Sequence, residues 1–268
     1  MLGFNRLGQL GRLGNQMFQY AALRGIAHQH SIEFCIPPSD FSNEWTTHQL
    51  FETFKLEGLP RTNVKLLDRG HAPEVQERFF HFHYHLLMAC PDHTSLHGYF
   101  QSERWFTDIE ADIRRDFTFL DSITADCAEI ISDFKDPICL HVRRTDYITN
   151  SANHPPLQLE YYQRALSHFD TSRQVVVFSD DAAWCRQQSL FQGSRFYFPG
   201  CTDNRYDLYL MTQCKDYIIA NSSFSWWGAW LSTNTHKKVV APIQWFGTHG
   251  YTATHDTKDL IPSSWLRI

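Results

Sequence analysis

Residues His141 to Asp146 read His-Val-Arg-Arg-Thr-Asp and follow an apolar run that begins at Pro137. Arginine is always charged, and its planar fork of donors fits the oxygens of a diphosphate. In an extended chain His141 and Arg143 face one side and Arg144 the other, so one arginine could bind an anion while the other braces the loop. The alternative is a surface ion pair between an arginine and Asp146, which is worth little.

A second candidate is the glycine-rich segment before the first long helical pattern. Gly8, Gly11 and Gly14 recur at every third position, and Asn15 follows them. Such a segment lets a ligand approach the backbone, and the free amides at a helix start favour negative charge. The spacing matches neither familiar nucleotide-binding loop, so an ordinary tight turn is the alternative.

Asn221, Ser222 and Ser223 stand between a short apolar run and a helical pattern that contains three tryptophans. All three residues are good N-caps, which predicts that a helix begins there. Hydroxyls and free amides at a helix start that follows a parallel strand can bind an anion. We expect them to face the same diphosphate as Arg143, and we expect the tryptophans to pack in the core rather than stack on a sugar.

Carboxylates at strand ends can accept hydrogen bonds from the guanine base or the ribose of a nucleotide. Asp180 and Asp181 close an apolar run, and we expect them to cap the following helix. Asp207 precedes an apolar helix face, and a half-buried carboxylate needs a partner, for which a ligand donor is one candidate.

Three histidines alternate along one segment and would line one face of a strand: His81, His83 and His85. Metal sites need further ligands at suitable spacing, and neither cysteine nor carboxylate supplies them nearby. We therefore expect a solvated or hydrogen-bonded histidine face and no metal site.

The elements that must position these residues alternate along the second half of the chain, where short apolar runs are separated by helical segments. This pattern is typical of a parallel sheet. We predict strands at 138–142, 174–179, 195–198, 217–220 and 238–241, and helices at 159–168, 181–187, 207–213 and 224–232. In the first half we predict a helix at 16–29, a strand at 32–36, and a strand and a helix within 96–117. The best boundary, at 132–136, predicts lobes of residues 1–134 and 135–268.

Composition limits the class of protein. A chain of 268 residues with 43% hydrophobic content can bury one large core or two smaller ones. A net charge of -5 and the lack of a basic run argue against nucleic-acid binding. The apolar stretches are short and the first residues lack the order of a signal peptide, so we expect a cytoplasmic protein without an integral membrane segment. Seven scattered cysteines without C-x-x-C spacing predict reduced, mostly buried thiols.

Five segments taken together resemble glycosyltransferase family 11, the α-1,2-fucosyltransferases. The segments are Gly11–Ala21, Gly98–Glu103, His141–Asp146, Phe178–Asp181 and Ala220–Trp230. The resemblance implies an α/β, GT-B-like fold of two small Rossmann-type lobes with a cleft between them. It also implies transfer of L-fucose from GDP-β-L-fucose to the 2-hydroxyl of a galactoside, with inversion at the anomeric carbon and without a metal or other cofactor. The first lobe would be the acceptor side and the second would bind the donor.

The resemblance further implies roles in donor binding. Arg143 matches the arginine that related fucosyltransferases place on the diphosphate, and Arg144 is a weaker candidate. Asp207 matches a carboxylate that accepts from guanine, and His141 would contact guanine or ribose. Ser222 or Ser223 matches a hydroxyl that faces the phosphates, beside Asn221.

The reaction centre is less completely matched. Gly14 and Asn15 correspond to the glycine loop near it. Inversion also needs a base that takes the proton of the acceptor hydroxyl. In the α-1,6 relatives a glutamate a few residues after the arginine motif acts as this base. At the same distance from the motif, this chain has Ser151. Asp146 and His154 are the nearest titratable substitutes, and we favour Asp146 unless it pairs with an arginine.

Two alternative functions stay open: a fucosyltransferase of different linkage or acceptor, and a catalytically silent carbohydrate- or nucleotide-binding protein on the same scaffold. The expected partners are GDP-fucose and a galactose-terminated glycan, with the protein free in the cytoplasm or peripheral to a membrane that carries the glycan. The sequence indicates no oligomeric state. Family members usually show a clear apolar first strand, whereas this sequence predicts a first strand that is short or poorly packed. The sequence does not show the membrane anchor of animal members, so we expect a bacterial or phage-like soluble enzyme.

Overall fold

The computed structural model describes residues 1–39 and 47–268. These residues form two units, each with its own parallel sheet. The first unit comprises Met1–Leu120 and Asp256–Pro262, and the second comprises Asp121–His255 and Ser263–Ile268. The expected α/β class is confirmed.

The sheet of the first unit is built from very short strands. They are β1 (Leu2–Gly3), β2 (Phe34–Cys35), β3 (Glu74–Gln76) and β4 (Ser95–His97), in the order β2-β1-β4-β3. Every neighbouring pair is parallel. The first strand is short, as predicted, but it is well packed, because Leu2 and Phe4 have no exposed surface.

The helices of the first unit are α1 (Leu13–Gln29), α2 (Leu50–Thr53), α3 (Tyr84–Ala89) and α4 (Glu110–Asp116). Helix α1 begins before the predicted residue 16, so the last glycine of the glycine-rich segment lies inside its first turn. Tyr20 on α1 packs against Phe34 and Phe117 and donates a hydrogen bond of 2.6 Å to Asp116. These contacts bury α1 against the strands and α4.

The predicted strand through the alternating histidines is wrong. Phe80 and Phe82 are buried, as the alternation predicts, but the chain then turns into α3 at Tyr84. The carbonyl of His83 accepts hydrogen bonds from the amides of Leu86 and Leu87, which is helical rather than extended pairing. Among the described residues, no three His, Cys, Asp or Glu side chains are placed to hold a metal ion.

The second unit contains a six-stranded parallel sheet. Its strands are β5 (Ile138–Val142), β6 (Val175–Ser179), β7 (Phe196–Tyr197), β8 (Asp216–Ile218), β9 (Val239–Ala241) and β10 (Leu266–Arg267). Their order is β10-β9-β8-β5-β6-β7, which becomes 3-2-1-4-5-6 when the sheet is read from β7 and β5 is counted as strand one. This is the order of a doubly wound dinucleotide-binding fold, and the chain changes direction across the sheet between β5 and β8.

The helices of the second unit are α5 (Asp121–Asp126), α6 (Ala128–Ser132), α7 (Thr145–Thr149), α8 (Leu159–Leu166), α9 (Ala182–Gln187), α10 (Asn204–Thr212) and α11 (Ser223–Leu231). The predicted strands and helices of this half are confirmed with shifted ends. The prediction missed β10 and the short helices α5, α6 and α7.

Both faces of the second sheet are covered. Ile138, Leu140 and Val142 alternate onto the face that packs against α8. On the opposite face, the ring of His141 lies 5.9 Å from that of Phe224 on α11.

The tryptophans of α11 pack in the core, as predicted, because Trp226 is fully buried and its ring stacks 6.1 Å from that of Trp230. All seven cysteines are free thiols and only Cys201 is partly exposed, which confirms the cysteine prediction. No helix among the described residues is long and apolar enough to cross a membrane.

Candidate functional site

The carboxyl ends of β5 and β8 mark the place where a doubly wound sheet binds its ligands. Arg143 follows β5, and Ser222 follows β8 and begins α11. The two motifs are joined directly, because the hydroxyl of Tyr147 on α7 donates a hydrogen bond of 2.9 Å to the carbonyl of Asn221. The structure therefore brings the arginine motif and the serine motif together, and Tyr147 is a link that the sequence analysis missed.

Arg143 is held between two carboxylates. Its Nη1 lies 3.2 Å from Asp180, and its Nη2 lies 2.6 Å from Asp146. The amides of Arg144 and Thr145 also donate to Asp180, at 2.9 and 3.1 Å, and the Thr145 hydroxyl donates to it as well. Asp180 thus organises the turn after β5, and the prediction that it caps the helix after its own strand is wrong.

The two carboxylates differ in how firmly they are held. Although burial opposes ionisation, the hydrogen bond from Thr145 and the charge of Arg143 hold the pKa of Asp180 below its usual value. Asp146 is 45% exposed, whereas Asp180 is 18% exposed. An anion that reaches Arg143 therefore competes first with Asp146.

Asp181 and Arg144 have structural partners. Asp181 accepts a hydrogen bond of 3.1 Å from the amide of Trp184 and caps α9, as predicted. Its other oxygen lies 3.3 Å from Nε of Arg144. The guanidinium of Arg144 lies 3.6 Å from the centre of the Trp184 ring, which is a cation-π contact. These contacts hold the Arg144 side chain on α9.

The start of α11 is capped by Ser222, whose hydroxyl accepts a hydrogen bond of 3.4 Å from the amide of Phe224. Ser223 occupies the first helical position. Asn221 is 1% exposed, and its Nδ2 donates to the carbonyls of Pro155 and Trp245, both at 3.0 Å. The side-chain amide of Asn221 is therefore committed to the backbone of two loops.

His141 is 3% exposed and lies beside this site. Burial, and secondarily the charge of Arg143, lower the pKa of His141 to about 3, although Asp180 opposes the shift. The ring is consequently neutral over the physiological range.

His154 lies next to Tyr147, on which its ring stacks at 5.1 Å, and the ring of Phe246 packs against its edge at 5.4 Å. Burial lowers the pKa of His154, and the charges of His255 and Arg143 act in the same direction, while Asp146 opposes them. His154 is thus a neutral base close to the arginine motif.

Asp207 lies in the first turn of α10, where its partner is the thiol of Cys201. Burial raises the pKa of Asp207 to about 7, and the nearby Asp203 adds to this while the hydrogen bond with Cys201 opposes it. Near neutral pH this carboxyl is therefore divided between its protonated and ionised forms.

Gly14 and Asn15 belong to the first unit, in the first turn of α1. The side-chain oxygen of Asn15 accepts a hydrogen bond of 2.9 Å from Nε2 of Gln101. Gly11 has a φ of 90°, and a Cβ there would lie 1.9 Å from Nδ2 of Asn15, so this position requires glycine. The glycine-rich segment and the 98–103 segment meet at Asn15.

The 98–103 segment depends on a carboxylate that the sequence analysis missed. Glu77 follows β3 and accepts hydrogen bonds from the amides of Tyr99 and Phe100, at 2.7 and 3.0 Å. Burial raises the pKa of Glu77 to about 7, although these two hydrogen bonds lower it. Phe100 has a φ of 53°, so this turn is held in a conformation that needs such support.

The sequence matches one protein family over most of its length. The family model described as "Glycosyl transferase family 11" matches residues 3–248. The O-antigen biosynthesis glycosyltransferase WbnK of Escherichia coli is 32% identical, over 96% of this chain and 98% of that protein. An α-1,2-colitosyltransferase of E. coli is 28% identical, over 96% of each chain. The galactoside α-(1,2)-fucosyltransferase 2 of Sus scrofa is 25% identical, over 86% of this chain and 70% of that protein.

Solved structures agree on the fold. The fucosyltransferase NodZ from Bradyrhizobium superposes with a TM-score of 0.56 at 14% identity, over 85% of this chain and 92% of that chain. A structure of NodZ soaked with GDP-fucose superposes with a TM-score of 0.53. The expected GT-B-like fold class is confirmed.

Proposed function

Because the chain belongs to glycosyl transferase family 11, we propose that it transfers L-fucose from GDP-β-L-fucose to the 2-hydroxyl of a terminal galactoside, with inversion and without a metal ion. One observation carries the proposal. The segment after β5, which carries Arg143, and the serine-capped start of α11 after β8 are tied together by the hydrogen bond from Tyr147 to Asn221, at the point where the strand order of the second sheet reverses. A nucleoside diphosphate is the ligand whose charge and length suit this place.

Donor binding is assigned to the second unit. Arg143 binds the diphosphate and displaces Asp146, and the backbone amides and hydroxyls of Ser222 and Ser223 at the start of α11 face the phosphates. His141 borders the nucleoside and Asp207 accepts from guanine. Arg144 braces the loop rather than the ligand.

The chemistry follows from the charge that develops on the leaving group. As the bond from the anomeric carbon to the β-phosphate oxygen breaks, GDP gains negative charge, which Arg143 and the amides of α11 stabilise. The acceptor hydroxyl attacks from the opposite face and gives its proton to a base, for which the candidates are Asp146 and His154. Acceptor binding and the role of Asn15 are assigned to the first unit, Met1–Leu120 with Asp256–Pro262, and donor binding to the second, so the predicted boundary at 132–136 moves to Leu120 and a short C-terminal segment joins the first unit.

A second candidate differs in the transferred sugar. The E. coli relative at 28% identity is an α-1,2-colitosyltransferase, so the family includes α-1,2 enzymes with another glycosyl donor. The diphosphate and nucleotide contacts proposed above would serve either donor. The sugar must therefore be decided by experiment.

The experiment is a product-linkage analysis with lactose as acceptor and GDP-fucose or GDP-colitose as donor, in EDTA. We expect an α-1,2-fucosylated galactose and full activity without added metal. A colitosylated product alone would select the second candidate, and another linkage would overturn the acceptor assignment. GDP binding without release of GDP from either donor would favour a silent binding protein, and activity restored only by Mg²⁺ or Mn²⁺ would overturn the metal-free mechanism.

A further inference from the structure

The loop between α7 and α8, residues 150–158, is held in place from a distant part of the second unit. Asn221 donates from one side-chain nitrogen to the carbonyl of Pro155 in this loop and to that of Trp245. Both distances are 3.0 Å, and Asn221 is buried. One amide group thus ties the loop to the start of α11 and to the segment after β9.

The same loop is held from its other side by residues 247–252. The hydroxyl of Thr252 donates to the carbonyl of Asn153 at 3.0 Å, and the amide of Gly250 donates to the carbonyl of Ala152 at 3.1 Å. These two segments approach each other so closely that a Cβ on Gly250 would lie 1.9 Å from the side-chain oxygen of Asn153. Such an approach leaves the loop little freedom to shift.

The residue that this arrangement fixes is His154. Its ring packs between Tyr147 and Phe246, and Tyr147 is in turn hydrogen-bonded to the carbonyl of Asn221. Nδ1 of His154 is buried and makes no hydrogen bond within the described part of the chain, which leaves Nε2 as the nitrogen available to a ligand. The Tyr147 ring also lies 5.6 Å from the guanidinium carbon of Arg143, so one ring separates His154 from the arginine.

We propose that His154 is the general base of the transfer and that Asn221 is a positioning residue that sets the His154 ring beside the donor site. The proposal rests on the proposed function. The proton of the acceptor hydroxyl passes to the imidazole as the hydroxyl oxygen bonds to the anomeric carbon. The bond from that carbon to the β-phosphate oxygen breaks, and its electron pair stays on GDP.

Asp146 is the weaker candidate because the diphosphate displaces it from Arg143 and its side chain is not enclosed as the His154 ring is. Its carboxylate forms an ion pair with Arg143, and its side chain is half exposed. Around His154, the groups that titrate or carry charge are Asp146, Arg143, His255 and Tyr147. Burial and the combined effect of these groups lower the pKa of His154. The imidazole is therefore neutral and able to accept a proton at neutral pH.

The first test compares His154→Gln with Asp146→Asn in the full-length protein. Loss of a general base lowers kcat by about 100- to 10,000-fold. We expect that loss for His154→Gln, with the Kd for GDP changed less than about twofold because His154 is not among the proposed donor contacts. We expect a smaller loss of kcat for Asp146→Asn. A kcat for His154→Gln within about tenfold of the wild type would overturn the assignment of the base.

The second test separates positioning from donor binding. Asn221→Ala should lower kcat by about 100-fold, as small misplacements of a reacting group do, while the Kd for GDP stays within about twofold. The histidine NMR signal of His154 should titrate at a higher pH than in the wild type, because its enclosure is lost. Asn234→Ala is the matched control, since Asn234 makes the same kind of contact, 2.8 Å to the carbonyl of Lys215, before β8. It should change neither readout.

Gly250→Ala supplies a second variant if Asn221→Ala does not fold, because its Cβ pushes on Asn153 with Asn221 intact. It should reproduce the loss of kcat and the shifted titration. Equal losses of GDP affinity and kcat in Asn221→Ala would make Asn221 a donor ligand, and an unchanged His154 titration would remove its positioning role. Absence of any transfer by the wild type would instead refute the proposed function.

Discussion

Arg143 and Asp180 occupy equivalent positions directly after two neighbouring parallel strands, β5 and β6. Val142 is paired in register with Ser179, so the next residue on each strand meets the other at the carboxyl edge of the sheet. The resulting contact is 3.2 Å between Nη1 of Arg143 and Asp180. The arginine assigned to the diphosphate is therefore oriented by the strand next to its own.

Replacing Arg143 with alanine should abolish transfer and weaken GDP binding by about 100-fold, since charge-assisted hydrogen bonds contribute about 1.5–3 kcal/mol each. The matched control is Arg173→Ala. Arg173 also contacts two carboxylates, Asp136 at 3.0 Å and Asp216 at 2.5 Å. It precedes β6, however, and so lies at the amino ends of the parallel strands, away from Arg143 at their carboxyl ends. Calorimetric titration with GDP measures both variants, and equal effects would contradict a specific role for Arg143.

Asp180→Asn should weaken GDP binding by about tenfold and lower the free energy of unfolding by about 1–3 kcal/mol, because amide and hydroxyl donors lose a charged acceptor. Asp181→Ala should reduce stability by about 0.5–2 kcal/mol through loss of the α9 cap, with a smaller effect on GDP. Urea unfolding and GDP titration test this pair. Tighter GDP binding by Asp180→Asn would show that charge repulsion, and not orientation of Arg143, dominates its effect.

Local patterns explain which parts of this site the sequence predicts. The buried run of β5 and the N-cap Ser222 depend on neighbouring residues, and both are found as expected. Asp180 and Asp181 look alike in the sequence, and only the pairing of β5 with β6 decides that Asp180 faces Arg143 while Asp181 caps α9. A parallel pair places its carboxyl ends together, so this alternative was open to sequence reasoning.

Long-range and very short features were not predictable in this way. Strands such as β1 and β3 contain two or three residues, which is too few for an apolar period to be seen. The setting of His154 depends on Asn221 and Trp245, which lie far along the chain and share no local pattern with it. The sequence therefore supplies the candidate base, and the structure supplies the reason that it is held.

GDP binding should strengthen as pH rises toward 7 if Asp207 accepts from guanine. Only the ionised carboxylate can accept from two guanine N–H groups at once, and burial raises the pKa of Asp207 to about 7, so below that pH a proton must leave before both hydrogen bonds form. Each pH unit then costs up to about tenfold in Kd. UDP is the control, because it carries the same titrating diphosphate without guanine. Asp207→Asn should bind GDP weakly and with the pH dependence of UDP, and an unchanged GDP profile in that variant would refute the contact.

His141 should make the protein less stable as pH falls below 6.5. Its pKa is about 3 in the folded protein and near 6.5 when unfolded, so within that window the unfolded chain binds the extra proton. Stability is therefore complete above 6.5 and is lost on acidification, by up to about 1.4 kcal/mol per pH unit. Glu77 and Asp207, with pKa values raised to about 7, act in the opposite direction. The pH dependence of the wild-type free energy of unfolding is therefore the sum of these contributions.

Comparison of variants isolates the contribution of His141. Urea unfolding at about pH 5 and about pH 8 should show a smaller loss of stability on acidification for His141→Gln than for the wild type. The exposed His236→Gln is the control and should retain the wild-type difference. If His141→Gln lost as much stability between the two pH values as the wild type, the buried ring would have to carry a proton in the folded protein, and its place beside Arg143 would need another explanation.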